Sequence, residues 1–220
     1  MKKIRIFMLA IATLLSTIVF AQRTITNAEI TKLYKDLPFK MVKLKVPKIP
    51  KRSVSITDFG AIGDGLTLNT EAFSKAIDAV SVKGGGTVVV PQGLWFTGPI
   101  VFKSNINLHL EKGALILFSP DFDLYPIVDT SFEGLDTKRC QSPISGRNLQ
   151  NISITGEGVI DGNGQAWRFV KKSKLTANQW KKLVASGGVL NEKKNEWWPS
   201  ESALRGSKMA VDQNTPDPRN

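Results

Sequence analysis

The chain has 220 residues, a formal net charge of +11, 41% hydrophobic residues and one cysteine. Its apolar content excludes general disorder and permits a sizeable core. A single cysteine excludes an internal disulfide framework. The charge would suit a nucleic-acid binder, but most of it sits outside the body of the chain. Residues 22–52 carry nine Lys/Arg against Glu29 and Asp36, whereas residues 53–220 carry 18 basic and 17 acidic residues. With no nucleic-acid-binding motif in the chain, no nucleic-acid partner is expected.

Lys2, Lys3 and Arg5 precede an apolar run from Ile6 to Phe20 that ends at Ala21. This is the pattern of a secretory signal peptide over 1–21. The run is shorter than the roughly 20 residues a bilayer span needs, so no stable membrane insertion is expected after cleavage. The mature protein is expected in the periplasm or outside the cell. Residues 22–52 read as a basic arm. An amphipathic helix is expected from Arg23 to Asp36, with Ile30, Leu33, Tyr34 and Leu37 on one side. Pro38, Pro47 and Pro50 then keep the chain extended.

From Ser53 the pattern changes. Val54 to Phe59 alternates like a strand, and Gly60, Gly63 and Gly65 punctuate a tight turn. The glycine spacing is neither that of a dinucleotide fingerprint nor of a P-loop, so the glycines are expected to supply positive φ and close approach. Asn69 is placed to cap a helix over Thr70–Val82, whose apolar face is Ala72, Phe73, Ala76, Ile77 and Val80. Thr87–Val90 looks too apolar for one-sided burial. Three short apolar runs follow, Ile100–Phe102, Ile106–Leu110 and Leu115–Phe118. Alternation of Ile106, Leu108 and Leu110 with Asn107 and His109 indicates one buried strand face. The run Asn105–Leu110 and the turn after it are echoed by Asn151–Thr155 and Gly156-Glu157-Gly158. That repetition suits stacked coils better than a meander.

The stretches SITDFGAIGDGLTLNTEAFSKAIDAV, LHLEKGALILFS and ITGEGVIDGNGQAW resemble the N-terminal part of the polygalacturonase-like glycosyl hydrolases, family 28. The resemblance runs from about Ser53 to Trp167. It implies an all-β fold, a right-handed parallel β-helix begun by a capping helix. It also implies a glycosidase that cuts pectic galacturonan with inversion, without metal or other cofactor, as a monomer. Family members place aspartates in Asn-Thr-Asp and Asp-Asp, a histidine in Gly-His-Gly and a carboxylate-binding Arg-x-Lys. Inversion needs carboxyl groups roughly 6.5–9.5 Å apart. None of these motifs occurs here: Asn214-Thr215 runs into Pro216, and no two acidic residues are adjacent.

No catalytic, cofactor-binding or metal-binding residue is therefore assigned. His109 is expected to point out of the coil as surface structure, and Asp58, Asp64 and Asp161 to accept backbone hydrogen bonds in turns. Cys140 is expected to be a buried or half-buried bystander. The chain reads as the N-terminal part of the enzyme, inactive alone and carrying an unpaired coil edge that favours aggregation. The alternatives are a non-catalytic carbohydrate-binding or adhesive β-helix, or a polysaccharide lyase of the same superfamily. The expected organisation is 1–21 signal peptide, 22–52 arm, 53–165 coils and 166–220 a partly helical insertion and tail. In that insertion Thr176-Ala177-Asn178-Gln179 is a capping box opening a helix ended by Gly187 and Gly188. Arg168, Lys171, Lys172, Lys174, Lys181 and Lys182 cluster there without an acid. These lysines are candidates to attract a uronate chain, while Trp167, Trp180, Trp197 and Trp198 are expected to pin the insertion down. The tail after Pro199 shows no strand pattern.

Overall fold

The computed structural model describes residues 27–42, 46–132 and 134–208. The chain divides into two compact units between Val46 and Pro47. In the first, a helix α1 spans Asn27–Leu33, shorter than the expected Arg23–Asp36, of which residues 23–26 lie outside the described part. Leu33 on its apolar side is 70% exposed. The segment expected to be a signal peptide also lies outside the described residues. Among those described, no helix is long and apolar enough to cross a membrane.

The second unit is built on three parallel sheets. After β1 (Ser53–Ser55), helix α2 (Thr70–Ser81) and the strands β2 (Gly86–Val90), β3 (Gly93–Thr97) and β4 (Ile100–Val101) follow in turn. The chain then returns as β5 (Ile106–Leu110) beside β2 and β6 (Ala114–Phe118) beside β3. Beyond an excursion, β9 (Ile144–Ser145) pairs with β4, β10 (Ser153–Gly156) with β5, and β11 (Val159–Asp161) with β6. Every one of these pairings is parallel, and the three sheets are visited in the same order on each pass.

The register explains the echo in the sequence. Thr87 and Asn107 are stacked partners 20 residues apart, whereas Asn107 and Ser153 are stacked 46 apart. The second pass is longer because it contains an antiparallel hairpin, β7 (Ile127–Phe132) with β8 (Leu135–Cys140). At the start of these strands Asn105 and Asn151 both adopt the left-handed conformation, and the Asn151 amide donates to Asn105 Oδ1 at 2.9 Å. Asparagine tolerates that conformation better than other side-chain-bearing residues, which is why the same residue recurs at the same corner.

Alternate residues of β2, β5 and β6 point inward. Val88, Val90, Ile106, Leu108, Leu110, Ile116 and Phe118 are all buried, each contributing about 1.5–3 kcal/mol by leaving water. Thr87–Val90, read from sequence as buried on both faces, also alternates. Val89 is half-buried because its register partner is His109 on the outer face, not Leu108 on the inner one. Helix α2 packs on β1, β2, β4 and β5, and its five expected apolar residues are all in the core. Lys103 pairs with Asp78 of this helix at 2.6 Å. Arg52, at the expected boundary of the body, donates to the carbonyls of Lys83 and Gly85.

Asn69 does not cap α2. Its side chain makes no bond to the helix's first turn. Instead it is buried and accepts from Ile62 N at 2.7 Å while donating toward the carbonyls of Ile62, Thr67 and Phe96. Packing α2 against the sheet buries these loop groups, and a buried backbone polar group needs a partner. The glycine turn behaves as expected at Gly60 and Gly65, both at positive φ. Gly63 has an ordinary φ and is needed because a Cβ would lie 3.0 Å from the Trp95 ring.

Beyond residue 166 the chain leaves the parallel sheets. Strands β12 (Val170–Lys171), β13 (Val189–Leu190) and β14 (Glu196–Trp198) form an antiparallel sheet with β14 central. The helix α3 (Ala177–Ala185) opens with the expected reciprocal Thr176–Gln179 capping box, and Gly187 and Gly188 follow it at positive φ. Trp197 and Trp198, to which the sequence reading gave no element, are in strand β14, and the tail, read as lacking a strand pattern, begins with helix α4 (Glu201–Lys208). Pro216 and Pro218 lie outside the described residues.

Candidate functional site

His109 lies on the outer face of β5, in the row Val89–His109–Thr155. Its Nδ1 is 2.9 Å from Thr155 Oγ1. Thr155 donates its one hydroxyl proton to Asn107 Oδ1 at 3.0 Å, so Nδ1–H is the donor to Thr155. Asn107 Oδ1 also accepts from Ser153 at 2.9 Å, and its amide reaches Thr87 at 3.4 Å. The histidine is thus one member of a polar ladder that ties three passes of the chain together.

The three turn aspartates accept backbone hydrogen bonds, as their glycine-flanked settings suggest. Asp58 accepts from Ser55 N at 2.9 Å and Asp161 from Asn163 N at 2.8 Å. Asp64 accepts from the amides of Thr67 and Leu66 and from the Thr67 hydroxyl, each at 2.8 Å. The Thr67 amide, then that of Leu66, holds its carboxyl below the ordinary aspartate range. Among the described residues no group of three or more His, Cys, Asp or Glu is arranged to hold a metal ion. Asn214 and Thr215 lie outside the described residues.

Three of the tryptophans expected to pin the insertion, Trp167, Trp197 and Trp198, make ring or hydrogen-bond contacts. Trp167 packs against Phe122 at 4.3 Å and edge-on to Tyr125 at 4.9 Å. Tyr125 is itself fully buried and donates to Ser119 O at 2.8 Å; burial, then the nearby Asp121 charge, pushes its phenol up to about 12. Trp198 stacks on Phe169 with centroids 4.6 Å apart. Its indole N–H is enclosed and has no acceptor among the described residues, so ring stacking holds it. Trp197 donates to Gly187 O at 2.7 Å. In the same segment Arg168, Lys171, Lys172, Lys174, Lys181 and Lys182 are all exposed, and Lys171 Nζ lies 5.8 Å from the Phe169 ring centre. Exposed cations of one sign raise the local concentration of a polyanion, an attraction that salt screens.

The hairpin β7–β8 escaped the sequence reading. Its signal is weak: Asp129, Ser131, Asp136 and Lys138 dilute the apolar alternation, and only Gly134, at φ 83°, marks the turn. It carries Lys138, Arg139 and the half-buried Cys140, and Lys138 pairs with Asp129 across its strands at 2.5 Å.

Residues 53–178 match the family model described as "rhamnogalacturonase A/epimerase, pectate lyase-like". The chain is 40% identical over 124 residues to a "Probable polygalacturonase" of Vitis vinifera, covering 52% of this chain and 25% of that protein. It is 38% identical over 127 residues to the exo-poly-alpha-D-galacturonosidase of Dickeya chrysanthemi, covering 54% and 20% respectively. Among solved structures it resembles the hyperthermoactive exopolygalacturonase of Thermotoga maritima, with 44% identity and a TM-score of 0.51 over 53% of this chain and 26% of that one. The chain spans a quarter or less of the length of these two curated relatives.

Proposed function

The chain belongs to the rhamnogalacturonase A/epimerase, pectate lyase-like family, and on that premise we propose that it is the N-terminal part of an exported, monomeric, polygalacturonase-type glycoside hydrolase. The observation that carries this reading is the strand order. Three parallel sheets visited in the same sequence on successive passes are the wall of a right-handed parallel β-helix, the hand that parallel crossovers take. Helix α2, with its apolar face in the core beside β1 and β2, serves as the cap of the first coil. The relatives named polygalacturonase and exopolygalacturonase cover 52% and 53% of this chain.

In this reading the chain supplies scaffold and substrate approach. The acid that protonates the leaving oxygen and the base that activates water come from polypeptide that these 220 residues do not include. His109 and the turn aspartates are engaged in holding strands and loops. The exposed lysines of 168–182 draw an acidic pectic chain toward the body. Incubation of the 220-residue chain with polygalacturonate is expected to release no reducing ends. A product extended through the downstream reading frame is expected to release them with inversion at the anomeric carbon. Hydrolysis by the short chain, or an extended frame without Asn-Thr-Asp, Asp-Asp and Gly-His-Gly, would sink the proposal. Replacing Lys171, Lys172 and Lys174 with alanine in the extended enzyme should raise KM for polygalacturonate; an unchanged KM removes the lysines from the account.

A further inference from the structure

The near-neutral sum of residues 53–220 conceals two regions of opposite charge. Residues 53–165, which form the parallel sheets, carry seven Lys/Arg and twelve Asp/Glu. Residues 166–205, which lie outside those sheets, carry nine Lys/Arg against Glu192, Glu196 and Glu201. All nine of these cations are exposed. The insertion is therefore a basic element on an acidic body.

The cations have exposed apolar neighbours. Phe169 is 41% exposed although Trp198 stacks on it. Phe169 immediately precedes β12, and its ring centre lies 5.8 Å from Lys171 Nζ, so the two share one side of the strand. Glu196, cross-strand from Lys171, is half-buried and accepts from the Asn191 amide at 3.2 Å. On α3, Lys181 and Val184 are three residues apart and so are neighbours on the helix surface. Val184 is 37% exposed. At two places on the insertion an apolar side chain thus stands in water beside an ammonium group.

A polyanion in solution takes up the cations and leaves Phe169 and Val184 in water. An anionic bilayer offers both parts, phosphates for the ammonium groups and an acyl boundary for the apolar side chains beside them. Lysine can lay its stem along that boundary while its charge stays at headgroup depth. Lying on a bilayer needs no spanning helix, and none is long and apolar enough among the described residues. We propose that the insertion is a docking surface for the anionic headgroups of a lipid bilayer and holds the protein there peripherally. This goes beyond the glycosidase reading and does not rest on it.

The test mixes the 220-residue chain with vesicles of phosphatidylcholine, with or without phosphatidylglycerol, and reads cosedimentation and hydrogen exchange. The apolar run at 6–20 and the basic arm at 22–52 are the same in every variant, so the insertion is read by difference and by location. Wild type is expected to bind the phosphatidylglycerol vesicles about tenfold more tightly or better. Exchange should slow at residues 169–172 and 181–184 and stay unchanged at the buried Leu108 and Ile116. Replacing Lys171, Lys172, Lys181 and Lys182 together with glutamine should weaken binding by about tenfold or more. Val184→Asp, at an exposed helix position, should weaken it and should still do so at raised salt, where charge attraction is screened. Unchanged affinity in the four-lysine variant, or vesicle binding without slowed exchange in the insertion, would assign attachment to the N-terminal segments and overturn the proposal. So would a four-lysine variant that loses capture by polygalacturonate but keeps its vesicle affinity, since the lysines would then serve the polysaccharide alone. Equal binding of both vesicle types by wild type also overturns the lipid surface; the glycosidase reading is judged separately, by hydrolysis with the extended chain.

Discussion

The parallel-sheet body and the insertion after residue 166 are held together in different ways. In the body, strands stack in register and their inward residues form one continuous core from Ile56 to Phe118. In the insertion no described side chain is fully buried. Its order comes from a capping box, a short antiparallel sheet, the Phe169–Trp198 stack and an indole bond to Gly187. The contrast teaches that stacked parallel strands draw stability from repetition, each pass pairing with and packing on the one before. An insertion outside those strands must be pinned by individual contacts. A variant in the core should therefore unfold the body, and one in the insertion should loosen only its own surroundings.

The largest effect is expected at Phe73, fully buried where α2 meets the sheet. Phe73→Ala should cost about 3–5 kcal/mol through lost burial and a cavity, seen as a lower midpoint in urea unfolding. An unchanged midpoint would mean that α2 does not belong to the cooperative unit. Next comes Asn69→Ala, which removes four hydrogen-bonding interactions with Ile62, Thr67 and Phe96. Orphaned buried backbone groups cost about 1–3 kcal/mol each, so a loss of about 3 kcal/mol is expected. If Asn69 acted only as a helix cap, Asn69→Asp or Asn69→Ser would preserve stability. The structure predicts that both fail, because neither offers the amide donors.

A smaller and local effect is expected for Trp198→Ala. Loss of the stack on Phe169 removes about 0.5–1.5 kcal/mol beyond the area exposed. Hydrogen exchange should accelerate at Val170 and Leu190 and stay unchanged at Leu108 and Ile116. Faster exchange at all four would show that body and insertion form one cooperative unit. The smallest effect concerns Asp64. Its folded-state pKa is depressed, so its stabilising contribution is present above the unfolded value and is lost as pH falls through the folded one. The difference in melting temperature between wild type and Asp64→Ala should be present at pH 7 and vanish in acid. A difference that persists at pH 2 would assign the effect to the loop backbone instead of the charge.

The comparison also marks where the sequence was readable. The stacked strands were legible because period-two alternation and corner asparagines are local, and the same residues recur at the same corners. The 46-residue echo from Asn105 to Asn151 is the observed register of β10 on β5. The outward position of His109 follows from the same phase. The hairpin and the strand at Trp197–Trp198 were not legible, because each is defined by a partner elsewhere in the chain and shows little alternation of its own.

By itself the sequence determined the alternation of Ile106–Leu110, the apolar face of α2, the capping box of α3 and the turn roles of Asp58, Asp64 and Asp161, since each depends on neighbours a few residues away. The strand expected over Val54–Phe59 is extended only through Ser55 and then turns into a 3-10 helix over Ile56–Phe59. Only the tertiary structure decided what Asn69 binds, why Gly63 admits no side chain, and that Lys138 of β8 meets Asp129 of β7. The reason is physical. A polar or cationic side chain takes its role from whichever distant backbone or side chain packing brings to it, and that proximity is a property of the folded chain.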